Sequence, residues 1–197
     1  MSRYKLNENK LITFYIKNKH SFFGYYDINP ISVKNDKVLG IIINTKGNAA
    51  STAAVGYFNL RFPTNFLQVG KSKTWCWQQG NRLRWSTLDN DIIIYNKLVD
   101  GRYGCVFQNI KSKKIISSIN FPIYDISTEG RYGLSLNFSR LERLRPGYGY
   151  SNLPDLSSAL KHPANDGVFL VDVGKNTSSL IISLDKLSRV EPCSSMD

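Results

Sequence analysis

"YDINPISVKNDKVLGIIIN" (residues 26–44) and "YDISTEGRYGLSLN" (residues 124–137) read as one hairpin written twice. Each opens on Tyr-Asp-Ile and a small polar residue, turns through charged or glycine-containing residues, and runs apolar to an asparagine, as repeat units do. A third copy, "RWSTLDNDIIIYN" (residues 84–96), keeps the turn, the apolar run and the final asparagine but lacks the Tyr-Asp opening. Matching the two Tyr-Asp-Ile openings makes residues 26–29 the first strand of the first unit.

Each hairpin is followed by two more runs with the β-branched and aromatic content of strands. "AAVGYFNL" (53–60) precedes "FLQV" (66–69), "YGCVFQNI" (103–110) precedes "KIISSI" (114–119), and "GVFLVDV" (167–173) precedes "LIISL" (180–184). Four antiparallel strands at a period of about 40–50 residues describe a propeller blade. The expected fold is all-β: a partial β-propeller of three four-stranded antiparallel blades at about residues 22–73, 74–120 and 121–186, in one incomplete domain over 1–187 with a polar tail at 188–197. A β-sandwich also uses many short strands, but it does not usually repeat one hairpin sequence.

Closed propellers generally use about four to eight blades, so three leave strand edges open. The expectation is a truncated propeller, with self-association or an N-terminal strand over residues 10–19 as other ways of covering an edge.

The formal charge of +11 on 197 residues points to an acidic partner: nucleic acid, an anionic surface or an acidic polysaccharide. The lysines also sit among many asparagines and isoleucines, a mixture that an AT-rich genome produces without selection for binding. Cys76, Cys105 and Cys193 are widely spaced and form no metal-binding pattern, as expected of free thiols in a reducing compartment. The six-residue apolar stretch at 11–16 is too short for a signal-peptide core or a membrane span, so a cytoplasmic location is expected.

Three places carry candidate chemistry. Between Asn137 and Gly167 lies "FSRLERLRPGYGYSNLPDLSSALKHPAND" (138–166), far longer than a hairpin needs, and loops of that length are usually functional or disordered. It presents Arg140, Arg143 and Arg145 beside Tyr148 and Tyr150, guanidinium forks for carboxylate, sulfate or phosphate and phenols for stacking. Alternatively, "SRLERLR" makes a short surface helix with Glu142 offsetting the arginines. "WCWQQGNRLRW" (75–85) offers Gln78, Gln79 and Arg82 around Gly80, in what should be a turn or strand mouth, with Trp75 and Trp77 expected on one side of a strand, either as a sugar platform or as core between blades.

"HSFFG" (20–24) precedes the repeat and is expected near the central channel, where His20, Tyr25 and Tyr26 are candidate proton carriers. No paired carboxylates, Ser/His/Asp set, phosphate loop or metal-ligand cluster is visible, so no cofactor or metal is expected and catalysis is left open.

"HSFFGYYDINP", "WCWQQGNRLRW", "YDISTEGRYGLSLNFSRLERLRPGYGY" and "DGVFLVDV" together resemble a family of bacterial propeller proteins encoded among capsule and exopolysaccharide biosynthesis genes. The resemblance runs to about Leu187, and family members have roughly twice this length. It implies a role in making or processing surface polysaccharide, with an acidic glycan as ligand. More distantly the chain resembles TolB-type propellers and oligogalacturonate lyase, whose manganese site of histidines and a glutamine has no counterpart here. A non-catalytic scaffold for capsule-assembly proteins is the first rival. A nucleic-acid binder is the second, though no recognition helix or RNA-binding motif is present.

Overall fold

The computed structural model describes residues 11–44 and 51–190; Lys10, Cys193 and most of the expected polar tail lie outside them. Three four-stranded antiparallel sheets follow one another along the chain. The first is β1 (Lys19–Phe22), β2 (Lys37–Asn44), β3 (Ala53–Asn59) and β4 (Phe62–Ser72), and the second β5 (Arg84–Trp85), β6 (Ile92–Val99), β7 (Arg102–Asn109) and β8 (Ile115–Ile119). The third is β9 (Asp125–Ile126), β10 (Tyr132–Ser135), β11 (Gly167–Asp172) and β12 (Thr177–Ser183). Within each sheet the strands pair in sequence order. Helices are confined to α1 (Phe138–Leu144) and α2 (Leu184–Ser188) among the described residues.

The sheets stack face to face in chain order, as propeller blades do. The strand period of two shows why the middle blade can serve both neighbours. Ile93, Tyr95 and Val106 point into a core shared with Leu39, Ile41, Ile43, Val55 and Val69 of the first blade, while Ile94 and Cys105 point the other way, onto Ile123 and Val171. Buried side-chain amides tie the layers together. Gln108 Nε2 donates to the Val69 carbonyl (3.1 Å), and Asn96 brackets Ile123, donating to its carbonyl (3.0 Å) and accepting from its N–H (2.8 Å). The chain is therefore a three-bladed part of a β-propeller.

The hairpin repeat is real, but its register in the first blade differs from the sequence expectation. Ser127 N–H donates to the Tyr132 carbonyl, Ser32 N–H to the Lys37 carbonyl, and Ser86 N–H to the Ile92 carbonyl. The equivalent residues are thus Ile31-Ser32, Trp85-Ser86 and Ile126-Ser127. The turn chemistry decides this: Ser32 and Ser127 hydroxyls accept backbone N–H groups across the turn, and Asn35 and Gly130, three residues on, both take positive φ (52° and 66°). Residues 26–29 form no strand. The inner strand of the first blade is β1, its line resumes at the Ile31–Val38 bridge, and residues 23–30 bulge out between them. The expected strand over residues 10–19 is also corrected. Residues 11–18 form no strand, although the segment touches the edge strand β4 through one long backbone hydrogen bond, Tyr15 N–H to the Pro63 carbonyl (3.4 Å), and Phe14 packs on Phe58 with ring centroids 5.6 Å apart.

Candidate functional site

The bulge at 23–30 lies against the linker between the first two blades. Gly24 permits this, because a Cβ there would stand 2.6 Å from the Gln79 carbonyl oxygen. Ile28 is buried, and Trp85 Nε1 holds the end of the bulge through the Pro30 carbonyl (2.9 Å), leaving Tyr26 88% exposed at its crest. The rings of Tyr25 and Tyr26 pack against each other, tilted by 39°, with centroids 4.3 Å apart.

The linker makes the turn expected around Gly80, but Trp75 and Trp77 do not lie on a strand: Cys76 and Gly80 exchange both backbone hydrogen bonds at 3.0 Å. Trp75 is buried in the core between the first two blades, and Trp77 meets it edge-on at 5.1 Å, remaining 44% exposed. Gln78 and Gln79 occupy the tip. Gln78 N–H donates to the Gly147 carbonyl (3.2 Å) and Gln79 Nε2 to the Tyr148 carbonyl (3.1 Å), so the linker is fastened to the long excursion of the third blade.

Arg82 ties these pieces together. Its guanidinium, 1% exposed, forms a two-pronged ion pair with Asp27 (2.7 and 3.3 Å), donates to Gln79 Oε1 (3.0 Å) and, through Nε, to the Tyr124 carbonyl (2.9 Å). It also lies 4.2 Å from the Tyr124 ring centroid. One side chain thereby joins the first blade's bulge, the linker and the inner strand region of the third blade. Arg84 repeats the pattern beside it, donating to the same Tyr124 carbonyl (2.9 Å) and pairing with Asp125. Burial alone would raise the Asp125 pKa, but the hydrogen bond and charge of Arg84 outweigh it and hold that carboxyl below its ordinary value.

The long excursion divides the five residues that sequence reasoning grouped on it. Asn137 caps α1 by accepting the Arg140 N–H (3.0 Å). After α1 the chain doubles back tightly enough that a Cβ on Gly149 would fall 2.1 Å from the Phe138 carbonyl oxygen. The Glu142 carboxylate secures that return by accepting the N–H groups of Gly147 (2.9 Å) and Gly149 (3.1 Å). Arg145 and Tyr148 face the site: the guanidinium stacks 3.9 Å from the Tyr148 ring centroid, and that ring meets Tyr25 edge-on at 6.1 Å.

The other three do not belong there. Tyr150 is fully buried, stacked on Phe138 at 4.4 Å and accepting a hydrogen bond from Asn96 (2.9 Å), so no ligand reaches it. Arg140 spends its guanidinium on the loop's own backbone, donating to the carbonyls of Leu160 (3.2 Å) and Lys161 (2.6 Å). Arg143 turns aside to Asp155 (2.9 Å). Arg82 is equally inaccessible and acts through what it holds. His20 sits on β1 opposite Ile43 and packs edge-on against Trp77 at 5.7 Å.

The site that results is a solvent-facing surface of Tyr25, Tyr26, Gln78, Arg145 and Tyr148 over buried Gln79 and Arg82, which are tied to the half-buried Tyr124 and the partly exposed Asp27. Asp27 and Tyr124 carried no distinguishing sequence signal beyond their place in the two Tyr-Asp-Ile copies. The surface can stack on a flat ligand face and offer a guanidinium fork to an anion. Cys76, behind the linker, has its thiol pushed up to about 11 by burial, which keeps it protonated near neutrality. Among the described residues no three His, Cys, Asp or Glu side chains are grouped to hold a metal ion, and no helix is long and apolar enough to cross a membrane.

No family model matches the sequence, and no curated protein matches it. Among solved structures, the chain is similar to the apo form of AtxE2 isopeptidase, with a TM-score of 0.48 and 12% identity over 89% of this chain and 32% of that one. It is also similar to oligogalacturonate lyase from Vibrio parahaemolyticus, with a TM-score of 0.49 and 11% identity over 85% of this chain and 42% of that one. The chain thus spans less than half the length of either structure, and likeness at this level transfers no residue role.

Proposed function

We propose that the surface formed by Tyr25, Tyr26, Gln78, Arg145 and Tyr148 binds an acidic glycan. The observation that carries this reading is the convergence of three segments distant in sequence on one exposed stack. Phenol rings from the first blade's bulge and from the third blade's excursion meet there, and the exposed Arg145 guanidinium over the Tyr148 ring has no ion-pair partner among the described residues. Tyrosine faces suit the apolar face of a pyranose, and a fork on a ring suits its carboxylate. The net charge of +11 favours an anionic ligand in the same direction. The role in bacterial surface polysaccharide that the sequence motifs imply gives this binding its setting, and the reading is of binding rather than catalysis.

The test is calorimetric titration with a uronic-acid oligosaccharide and with a neutral oligosaccharide of equal length. Preference for the acidic one, reduced in Arg145→Ala and in Tyr148→Ala, is the expected result. Equal affinity for both, or no change in either variant, would remove the proposal.

A further inference from the structure

A cleft of about 440 Å³ opens elsewhere on the excursion, between the end of α1, the 157–162 turn and α2. It shares no lining residue with the tyrosine surface. Its volume falls in the range of small-molecule sites, roughly 300–1,000 Å³. Two features of its lining are independent of each other and point to one ligand chemistry.

The first is charge. Arg143, Lys161 and His162 line the cleft, and no carboxylate does. Arg143 uses only Nε on Asp155 and is 38% exposed, so its two terminal nitrogens carry no partner among the described residues. Asp155, behind the wall and 2% exposed, is also approached by Arg140 at 4.0 Å, so the cations outnumber the acid they pair with. Arg140 has a second task here. By donating to the carbonyls of Leu160 and Lys161 it holds the turn that aims Lys161 and His162 at the opening.

The second feature is apolar lining. Leu144, Leu160 and Leu187 are 61%, 54% and 40% exposed, yet they line the same cleft together with Leu184. A cleft lined by four leucines and by cationic side chains is complementary to a molecule with an anionic head and an apolar body.

We infer that this cleft binds a small anionic amphiphile, a phosphate- or carboxylate-headed molecule with an alkyl chain or apolar ring, as a site separate from the glycan surface. The inference does not depend on the glycan reading, because the two sites are made by different side chains.

The experiment is calorimetric titration of the whole chain with decyl phosphate below its micelle concentration, beside inorganic phosphate and decanol at matched concentrations. Saturable binding of decyl phosphate, at least tenfold tighter than of phosphate or decanol alone, is the expected outcome. Lys161→Ala and Leu187→Ser, both at exposed positions, each weaken it roughly fivefold, the loss of one contact at the head or the tail. Tyr148→Ala leaves it unchanged. Decanol binding as tightly as decyl phosphate overturns the proposal, as does indifference to both cleft variants. Failure to bind decyl phosphate while sedimenting with anionic phospholipid vesicles also overturns it, and assigns the charge to a membrane surface instead.

Discussion

Arg82 and Arg145 stand at the base and the rim of the same site and do opposite things. The Arg82 fork is enclosed and satisfied by Asp27, Gln79 and Tyr124, whereas Arg145 lies flat on Tyr148 in water with its fork unclaimed. The difference shows how a cationic surface can be held without consuming its own charge. Buried donors fix the loops, because leaving them unpaired is costly, and exposed donors are then free for a ligand.

Replacing Arg82 with alanine should break this arrangement most severely. It strands Gln79 Oε1, leaves the Tyr124 carbonyl to Arg84 alone and loosens the bulge at 23–30; since Asp27 keeps some access to water, a loss of about 3 kcal/mol is expected, at the lower end for a severed buried pair. Urea unfolding would measure it, and a loss under 1 kcal/mol would mean that the three segments are held by something else. Glu142→Ala comes next. It removes the acceptor for two N–H groups in the return of the excursion, a cost of about 1–3 kcal/mol, and should also weaken glycan binding by loosening Tyr148.

Acid sharpens the same contrast without mutation. Burial would raise the Asp155 pKa, but hydrogen bonds from Ser157, Arg143 and Asn137 outweigh it and hold the carboxyl below its ordinary value; Asp125 is lowered likewise by Arg84. Groups depressed on folding contribute stability that is full above their unfolded pKa, near 3.9 for aspartate, and lost as pH falls through the folded value. A melting temperature steady from neutrality to about pH 5 and falling below about pH 4 is expected. In an Asp125→Asn, Asp155→Asn double variant the fall should be shallower.

Arg145→Ala is expected to change stability least, by no more than about 0.5 kcal/mol, because its guanidinium holds nothing but a ring. Its effect on affinity for a uronic-acid oligosaccharide should nonetheless approach tenfold, the worth of about 1.4 kcal/mol. A variant that unfolds instead would place Arg145 with Arg82 as a structural group, and the contrast would collapse.

The strands were legible in the sequence because a strand's apolar runs and turn residues are local. Three four-stranded sheets follow from runs such as residues 92–99 and from the turn residues between them, and among the described residues only the opening strand of the first blade, β1, was misplaced. The register of the first blade was not, because Tyr-Asp-Ile occurs twice by composition, and matching the copies sets Asn29 opposite Ser127, whereas the turn chemistry makes Ser32, three residues on, its equivalent. In the site, the exposed pair Arg145 and Tyr148 was readable as loop chemistry. Tyr150, two residues on, was not distinguishable from Tyr148, since burial against Phe138 and Asn96 depends on segments from two blades.

Sequence alone determined that this chain is all-β, repeats a four-stranded unit three times, and presents arginine and tyrosine together on one long excursion. Those properties rest on periodicity, turn residues and composition, which act over a few residues at a time. Tertiary structure alone decided which arginines are spent and which are free. The five donors of a guanidinium are claimed by whatever carbonyls and carboxylates the folded chain brings within reach, and for Arg82 these come from residues 27, 79 and 124.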